Sequence, residues 1–242
     1  MFPSAPAVMA AAAERFVEVT AQAVRAHGRC AVALSGGSTP EGLYRLLATA
    51  PYRRRVSWKS VEVFWGDERC VPPDDAASNY RMARAALLDH VPIPPAGVHR
   101  IRGEADPEVA AREYEATLRA CFAAPHGPPG PGGGFDLMLL GLGRDGHTAS
   151  IFPGSAALAE SERWTLAQRG PEPPHWRVTV TPALIRASRE VLFLVTGADK
   201  AAALHRVLED RDAGVTLPAG AVLPTAGMVR WMVDAAAAGK SA

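Results

Sequence analysis

The chain begins with apolar residues at steps of four and three, which is the spacing of one face of an α-helix. These residues are Val8, Ala12, Phe16, Val19 and Ala23. Gly28 follows them and is a typical residue to end a helix. The next segment, Cys30 to Leu34, is uninterruptedly apolar and predicts a buried strand, because such short runs are typical of sheets covered on both faces.

Short apolar runs and helical patterns alternate to the end of the chain. Further strands are predicted at residues 61–65, 135–140, 177–181, 190–196 and 228–233. Further helices are predicted at residues 41–50, 79–90 after a Ser78 cap, 107–121 after an Asp106 cap, and 199–209. A Pro/Gly stretch at residues 125–134 predicts a mobile surface loop, not a domain boundary, because the alternation resumes after it. We therefore expect one α/β domain over residues 1–242 with a mostly parallel sheet.

The charge balance of the chain argues against nucleic acid and membranes as partners. The 242 residues include 26 basic and 25 acidic side chains, and the net charge of +1 gives no bulk attraction for nucleic acid or an anionic membrane. No stretch reaches about 18 uninterrupted apolar residues, and the N-terminus lacks the pattern of a signal peptide. We expect a cytoplasmic protein that binds neither nucleic acid nor membrane. An anion that binds it must be held locally.

The cysteines do not form a recognisable framework. Cys30, Cys70 and Cys121 are odd in number, widely spaced and never in a Cys-x-x-Cys pair, which argues against disulfides and against a thiolate zinc site. The seven histidines include no His-Glu-x-x-His helix. We therefore expect neither a metal nor a cofactor.

The loop after the first strand has the composition of an anion site. Ligands of open α/β sheets bind beyond the carboxyl ends of the strands. Here two glycines let the backbone approach an anion, and two hydroxyls and the N–H groups of the next helix can donate to it. A plain glycine turn is an equal alternative, and Pro40 excludes a Gly-x-Ser-x-Gly nucleophile elbow. The candidate residues are Ser35, Gly36, Gly37, Ser38 and Thr39.

A second loop follows the predicted strand at residues 61–65. Asp67, Glu68 and Arg69 place two carboxylates and a guanidinium directly after an apolar run. Such groups are candidates for a site, although a solvated ion pair is the commoner arrangement at the end of a sheet.

The third loop, residues 141–153, contains the imidazole best placed for catalysis. Its start satisfies Gly-x-Gly-x-x-Gly, but Pro153 ends any helix within two turns, whereas a dinucleotide site needs a long helix there. His147 follows Asp145 by two residues, and this carboxylate can select the ring tautomer. An imidazole is the natural general base near neutrality. A structural histidine is the alternative.

Two further cations are candidates for holding an anion. Lys200, one of three lysines with Lys59 and Lys240, lies at the start of a predicted helix. A cation there is unfavourable by roughly 0.3–1 kcal/mol unless an anion shares the position. Arg177 begins a predicted strand and offers a bidentate partner. For each residue taken alone, a surface charge is the commoner explanation.

In their order along the chain these motifs resemble the 6-phosphogluconolactonase family. The segments concerned are residues 35–40, 65–69, 78–80, 141–153 and 177–181, and the Asp-Gly-His-Thr-Ala-Ser block is the most specific of them. The resemblance covers nearly the whole chain. It implies the three-layer, Rossmann-like α/β fold shared with glucosamine-6-phosphate deaminases and ribose-5-phosphate isomerases. It also implies hydrolysis of 6-phospho-D-glucono-1,5-lactone to 6-phospho-D-gluconate, the second step of the oxidative pentose phosphate pathway. The sequence leaves the oligomeric state open, and we expect a monomer or a small homo-oligomer.

The reaction that the resemblance implies gives each candidate residue a role. His147 is expected to deprotonate water, and Arg69 to stabilise the oxyanion. Asp67 and Asp145 are expected to orient Arg69, His147 or sugar hydroxyls, in roles that the sequence does not separate. Neither a metal nor a covalent nucleophile is needed for a reactive ester. The groups expected to hold the 6-phosphate are the loop at residues 35–39, Arg177 and Lys200.

Two alternatives to a lactonase differ in features of the sequence. Sugar-phosphate deaminases and isomerases of the same fold carry a glutamate five residues after the loop histidine, where this chain has Phe152. A phenyl ring cannot transfer a proton, so the residue favours hydrolysis. A non-catalytic sugar-phosphate sensor needs an attached DNA-binding or partner-binding element, for which one α/β domain of 242 residues leaves little room.

Overall fold

The computed structural model describes residues 1–123, 133–209, 216–224 and 227–240. Its strands are β1 (Cys30–Leu34), β2 (Val61–Trp65), β3 (Asp67–Arg69), β4 (Leu137–Leu140), β5 (Thr165–Arg169), β6 (Trp176–Val180), β7 (Glu190–Val195) and β8 (Met228–Val233). Five of them form a sheet in the order β2-β1-β4-β7-β8, and each adjacent pair is parallel. A smaller antiparallel sheet has the order β3-β6-β5. The predicted α/β class with a mostly parallel sheet is confirmed.

The helices are α1 (Ala5–His27), α2 (Ser38–Leu47), α3 (Ala50–Arg53), α4 (Asn79–Ala86), α5 (Pro107–Phe122), α6 (Ala156–Ala159), α7 (Pro182–Arg186), α8 (Ala201–Leu208) and α9 (Pro218–Ala221). The predicted apolar stripe of α1 is buried. Gly28 ends this helix in the left-handed conformation and donates its N–H to Val24. Asp106 caps α5 by accepting from two backbone N–H groups. In the part of the chain that the structure describes, no helix is both long and apolar enough to cross a bilayer.

The order of the parallel strands determines where a ligand can bind. All residues of β1, β4 and β7 are buried, as expected for strands covered on both faces. The chain moves outwards from β1 to β2 and then returns to β4 on the other side of β1. At such a reversal of strand order a crevice opens beyond the carboxyl ends of the two central strands. The loops after β1 and β4 border this crevice.

Several elements differ from the sequence predictions. Residues 67–69, expected in a loop, form β3, and residues 165–169, for which no element was predicted, form β5. A three-residue or mixed-polarity strand leaves no apolar run in the sequence. The strand predicted at residues 177–181 is β6 of the antiparallel sheet and not part of the parallel one. Helix α2 begins at Ser38 and ends at Leu47, so Pro40 lies inside its first turn. Most of the predicted loop at residues 125–134 lies outside the described residues.

Candidate active site

A cleft of about 590 Å³ lies beyond the carboxyl ends of β1 and β4 and collects most of the predicted site residues. The predicted residues that line it are Ser35, Gly36, Gly37, Asp67, Arg69, Asp145, His147, Arg177 and Lys200. Two of the residues predicted to hold the phosphate do not line it. Ser38 is exposed, and the hydroxyl of Thr39 is 2.6 Å from the hydroxyl of Thr196. The first loop therefore contributes Ser35 and its two glycines to the cleft lining, and Ser38 and Thr39 are not part of that lining.

His147 is held by Asp145 within the tight turn that follows β4. Its Nδ1 atom lies 2.6 Å from Oδ1 of Asp145, and the same oxygen accepts the backbone N–H of His147 at 3.1 Å. A carboxylate on Nδ1 keeps the proton on that nitrogen and leaves the lone pair on Nε2. Burial raises the pKa of Asp145, but the backbone N–H and ring of His147 lower it by more, so the net pKa lies below its ordinary value. The pair has the geometry of a general base with its orienting carboxylate.

Gly143 lies against this pair so closely that no side chain fits. A Cβ atom built on Gly143 would lie 2.1 Å from Nδ1 of His147 and 2.7 Å from Oδ1 of Asp145. Gly146, with φ of 87°, supplies the left-handed turn before the histidine. No long helix follows, because Thr148 and Ile151 pair in a short bridge and α6 has only four residues. The glycine pattern thus serves the histidine turn and lacks the helix of a dinucleotide site.

Arg69 and Arg177 lie directly opposite each other in the antiparallel sheet, on β3 and β6. Arg69 donates from Nη1 to the carbonyl of Ala77 at 2.6 Å. Burial and the charge of Arg69 both lower the pKa of Arg177. Like charges at opposite positions destabilise a sheet, so an anion between them would be stabilising. In the part of the chain that the structure describes, neither arginine forms an ion pair with a carboxylate. The alternative considered from the sequence, that Arg69 belongs to a solvated ion pair, is therefore wrong.

Three buried polar atoms on the wall of the cleft have no hydrogen-bond partner. They are Oγ of Ser35, Nε of Arg69 and Nε of Arg177. Buried polar groups in proteins are almost always hydrogen-bonded, and an unmade bond costs roughly 1–3 kcal/mol. Because these atoms belong to residues that line the cleft, their unmade hydrogen bonds favour a polar ligand there.

The two carboxylates after β2 have different partners, and that of Glu68 binds the start of α4. Both oxygens of Glu68 accept hydrogen bonds, from the backbone N–H groups of Arg69, Asn79 and Tyr80 at 2.7–2.8 Å and from the hydroxyl of Ser78 at 3.0 Å. Burial raises the pKa of Glu68 despite these bonds. Asp67 accepts from the hydroxyl of Ser150 at 2.6 Å and is 7% exposed. One predicted role of Asp67 was to orient Arg69 or His147. In the structure its carboxylate contacts Ser150 and neither of those two side chains.

Asn79 is a cleft residue to which the sequence assigned no role. Its side chain is buried, and Nδ2 donates to the backbone carbonyl of Asp67 at 2.9 Å. A Cβ atom on Gly36 would lie 2.0 Å from Oδ1 of Asn79, so this contact requires a glycine. The sequence signal was the position of Asn79 directly after the Ser78 cap, which places it in the first turn of α4.

The mouth of the cleft has an apolar and a charged side. The ring of Phe152 lies 4.8 Å from the His147 ring, centroid to centroid, at an angle of 51°. On the charged side Asp199 forms ion pairs with Nε of Arg144 at 2.8 Å and with Nζ of Lys200 at 3.5 Å. Lys200 lies at the end of the turn Ala198–Lys200, directly before α8. Asp199 therefore partly balances the cation predicted to hold an anion.

Comparisons with known proteins agree on one family. Residues 3–231 match the family model described as glucosamine-6-phosphate isomerases/6-phosphogluconolactonase. The chain is 40% identical over 247 residues to a 6-phosphogluconolactonase of Mycobacterium leprae (strain TN), covering 99% of this chain and 96% of that one. It superposes on the 6-phosphogluconolactonase of Trypanosoma brucei with a TM-score of 0.84 and 32% identity, covering 99% and 96% of the two chains. A monomeric glucosamine-6-phosphate deaminase, 22% identical with a TM-score of 0.79 over 98% and 97% of the chains, shares the fold.

Proposed function

Because the chain belongs to the glucosamine-6-phosphate isomerase/6-phosphogluconolactonase family, we propose that it hydrolyses 6-phospho-D-glucono-1,5-lactone to 6-phospho-D-gluconate. The names of the similar proteins support this substrate. The family also contains isomerases, so the choice of reaction depends on the residues of the cleft.

The contact between His147 and Phe152 is the observation that favours hydrolysis over isomerisation. Opening a sugar ring and exchanging an aldose for a ketose need a second proton-transferring side chain close to the histidine. At 4.8 Å from the imidazole this chain places a phenyl ring, which exchanges no proton. Hydrolysis of a lactone needs only one group that first removes a proton and then returns it.

His147 is the general base of the proposed reaction. Its Nε2 takes a proton from water while the water oxygen bonds to C1 of the lactone and the carbonyl electrons move to the carbonyl oxygen. When the tetrahedral intermediate collapses, the bond from C1 to the ring oxygen breaks and the imidazolium returns the proton to that oxygen. Asp145 holds Nδ1 and stabilises the transient imidazolium. General base catalysis of this kind contributes typically 10²–10⁴-fold to the rate.

We assign Arg177 to the phosphate of the substrate and Arg69 to its C1 carbonyl oxygen. In a 1,5-lactone C1 and C5 flank the same ring oxygen, and C5 carries the CH2 group that bears the phosphate, so the carbonyl and the phosphate lie on one edge of the ring. The opposite positions of Arg69 and Arg177 match this arrangement. Arg177 binds the phosphate together with Lys200 and the glycine loop, and Arg69 donates to the developing oxyanion. The unpartnered Nε atoms and the hydroxyl of Ser35 support the presence of a polyanionic ligand.

Lactone generated in place by glucose-6-phosphate dehydrogenase tests the proposed function. The protein should accelerate formation of 6-phosphogluconate well beyond the spontaneous rate, and it should release no ammonia from glucosamine 6-phosphate. Ammonia release, or lactone loss at the spontaneous rate with correctly folded protein, would contradict the proposal. Action in the cytoplasm, as a monomer or small homo-oligomer and without nucleic acid, stays a prediction, and light scattering on purified protein tests the oligomeric state.

A further inference from the structure

A second cluster of reactive side chains lies away from the cleft, at the edge of the parallel sheet. Glu62 is near the amino-terminal end of the edge strand β2, whereas the cleft lies beyond the carboxyl ends. His99 follows a segment that extends the sheet beyond β2, and its backbone N–H donates to Val63 at 2.8 Å. Cys121 belongs to the last turn of α5. Three distant parts of the chain thus bring a carboxylate, an imidazole and a thiol together.

The spacing of these groups suits one metal ion. One ligand atom of each residue lies within 4.8 Å of the other two. Nε2 of His99 is 3.6 Å from Oε2 of Glu62 and 4.0 Å from Sγ of Cys121. Tetrahedral zinc with its usual bond lengths separates nitrogen and sulfur ligands by about 3.5 Å. The two separations are within about 0.5 Å of those in a zinc site. Because Sγ is also 3.9 Å from Nδ1 of His99, the ring or the thiol must rotate for both to coordinate one ion.

The surrounding residues orient the cluster. The ring of His99 stacks on Phe64, with centroids 4.4 Å apart and planes at 14°. Arg29 reaches both carboxylate oxygens of Glu62 at 3.3 and 3.4 Å and donates to the backbone carbonyl of Cys121 at 2.8 Å. Groups of this kind, which hold metal ligands in place, raise metal affinity in known sites. The side chains of His99 and Glu62 are 17% and 27% exposed, which leaves access for an ion and a water ligand.

We propose that Glu62, His99 and Cys121 bind Zn²⁺, with water as the fourth ligand. A thiolate, an imidazole and a carboxylate are all zinc ligands, and Mg²⁺ or Ca²⁺ would not select the thiolate. The ion joins β2, the segment at residues 98–99 and the end of α5, and it takes no part in the chemistry of the cleft. The spacing of the three cysteines predicts no zinc site, because such a pattern is limited to residues that are close to one another in the sequence.

Cobalt substitution tests the proposal directly. Co²⁺ added to chelator-treated full-length protein should produce the near-ultraviolet charge-transfer band of a cobalt thiolate, and Zn²⁺ should abolish it. Cys121→Ser should show no band. Cys70→Ser is the matched control, because Cys70 is also partly buried but lies outside the cluster, and it should keep the band.

Zinc binding by calorimetry gives a second readout that does not depend on the thiol. His99→Gln and Glu62→Gln should each weaken binding at least 10-fold, roughly the lower limit known even for residues that merely support a metal ligand. Circular dichroism establishes that each variant is folded, and lactone hydrolysis should be unchanged in all of them. Absence of a cobalt band in the unmodified protein, or the same band in Cys121→Ser, would overturn the proposal.

Discussion

Arg69 and Arg177 occupy directly opposite positions on β3 and β6, and the Nε atom of each is buried without a hydrogen-bond partner. Like charges at opposite positions of a sheet are destabilising, and a ligand with negative charge would remove that cost and pair the unused donors. The proposed substrate has a phosphate, and during the reaction a developing oxyanion, on one edge of its ring. The separate roles assigned to the two arginines lead to different kinetic expectations.

Replacement of Arg177 should weaken binding more than it slows the reaction. Arg177→Gln removes charged hydrogen bonds to the phosphate, worth about 1.5–3 kcal/mol, and should raise KM about 10- to 150-fold with a small change in kcat. Steady-state kinetics of lactone hydrolysis measure this. Arg169→Gln is a suitable control, because Arg169 lies on the neighbouring strand β5 and does not line the cleft. An unchanged KM in Arg177→Gln would place the phosphate elsewhere.

Replacement of Arg69 should instead lower kcat. Loss of one donor to an oxyanion typically costs about 2.7–4 kcal/mol, or 10²–10³-fold in kcat. The same kinetic assay with Arg69→Gln checks this. A rise in KM at constant kcat would show that both arginines hold the phosphate and that the oxyanion is stabilised by another group.

Gly143 should be intolerant of a single methyl group. In Gly143→Ala the new Cβ atom meets the His147 ring at 2.1 Å, so the imidazole must move, and kcat should fall by about 10²-fold, as it does when a catalytic group is displaced by about 1 Å. Gly141→Ala offers a matched control two residues earlier, because a Cβ atom there meets nothing within 4 Å. Comparable activity in the two variants would mean that the position of His147 is not important.

The contact between Asp145 and His147 should contribute to stability in a pH-dependent way. The pKa of Asp145 lies below its ordinary value in the folded protein, so ionised Asp145 favours folding above pH 3.8, its ordinary pKa. That contribution is lost as the pH falls through the lowered pKa. Since both side chains are a third or more exposed, it amounts to about 0.2–1 kcal/mol.

Urea unfolding of the unmodified protein and of Asp145→Asn measures this contribution. The unmodified protein should be slightly more stable at neutral pH, and the difference should vanish in acid. A difference that grows as the pH falls would have the wrong sign. The same variant should lose most of its turnover, because an amide no longer selects the tautomer with a free Nε2.

The sequence predicted those parts of the fold that depend on local pattern. The apolar stripe of α1, the cap at Asp106 and the strands of the parallel sheet each have a signal within a few neighbouring residues. The strand at residues 67–69 has no such signal, since three charged residues form it only by pairing with β6, more than 100 positions away. Short antiparallel strands of this kind are determined by tertiary contacts and not by their own residues.

The candidate site was predictable where its chemistry is local. His147 and Asp145 lie two residues apart in a glycine-rich turn, so both could be found from the sequence. The opposite positions of Arg69 and Arg177, the contact of Asn79 with Gly36, and the cluster of Glu62, His99 and Cys121 all join residues far apart in the chain. No spacing along the sequence predicts them. Only the packing of the elements brings them together.

The most direct test of the account is the turnover of His147→Gln with the lactone. If Nε2 of His147 deprotonates water, kcat should fall 10²–10⁴-fold, while 6-phosphogluconate should bind with an affinity within about threefold of that of the unmodified protein, because the groups proposed to hold its phosphate are untouched. Turnover close to that of the unmodified protein, in a variant that is folded and binds 6-phosphogluconate, would contradict the central claim.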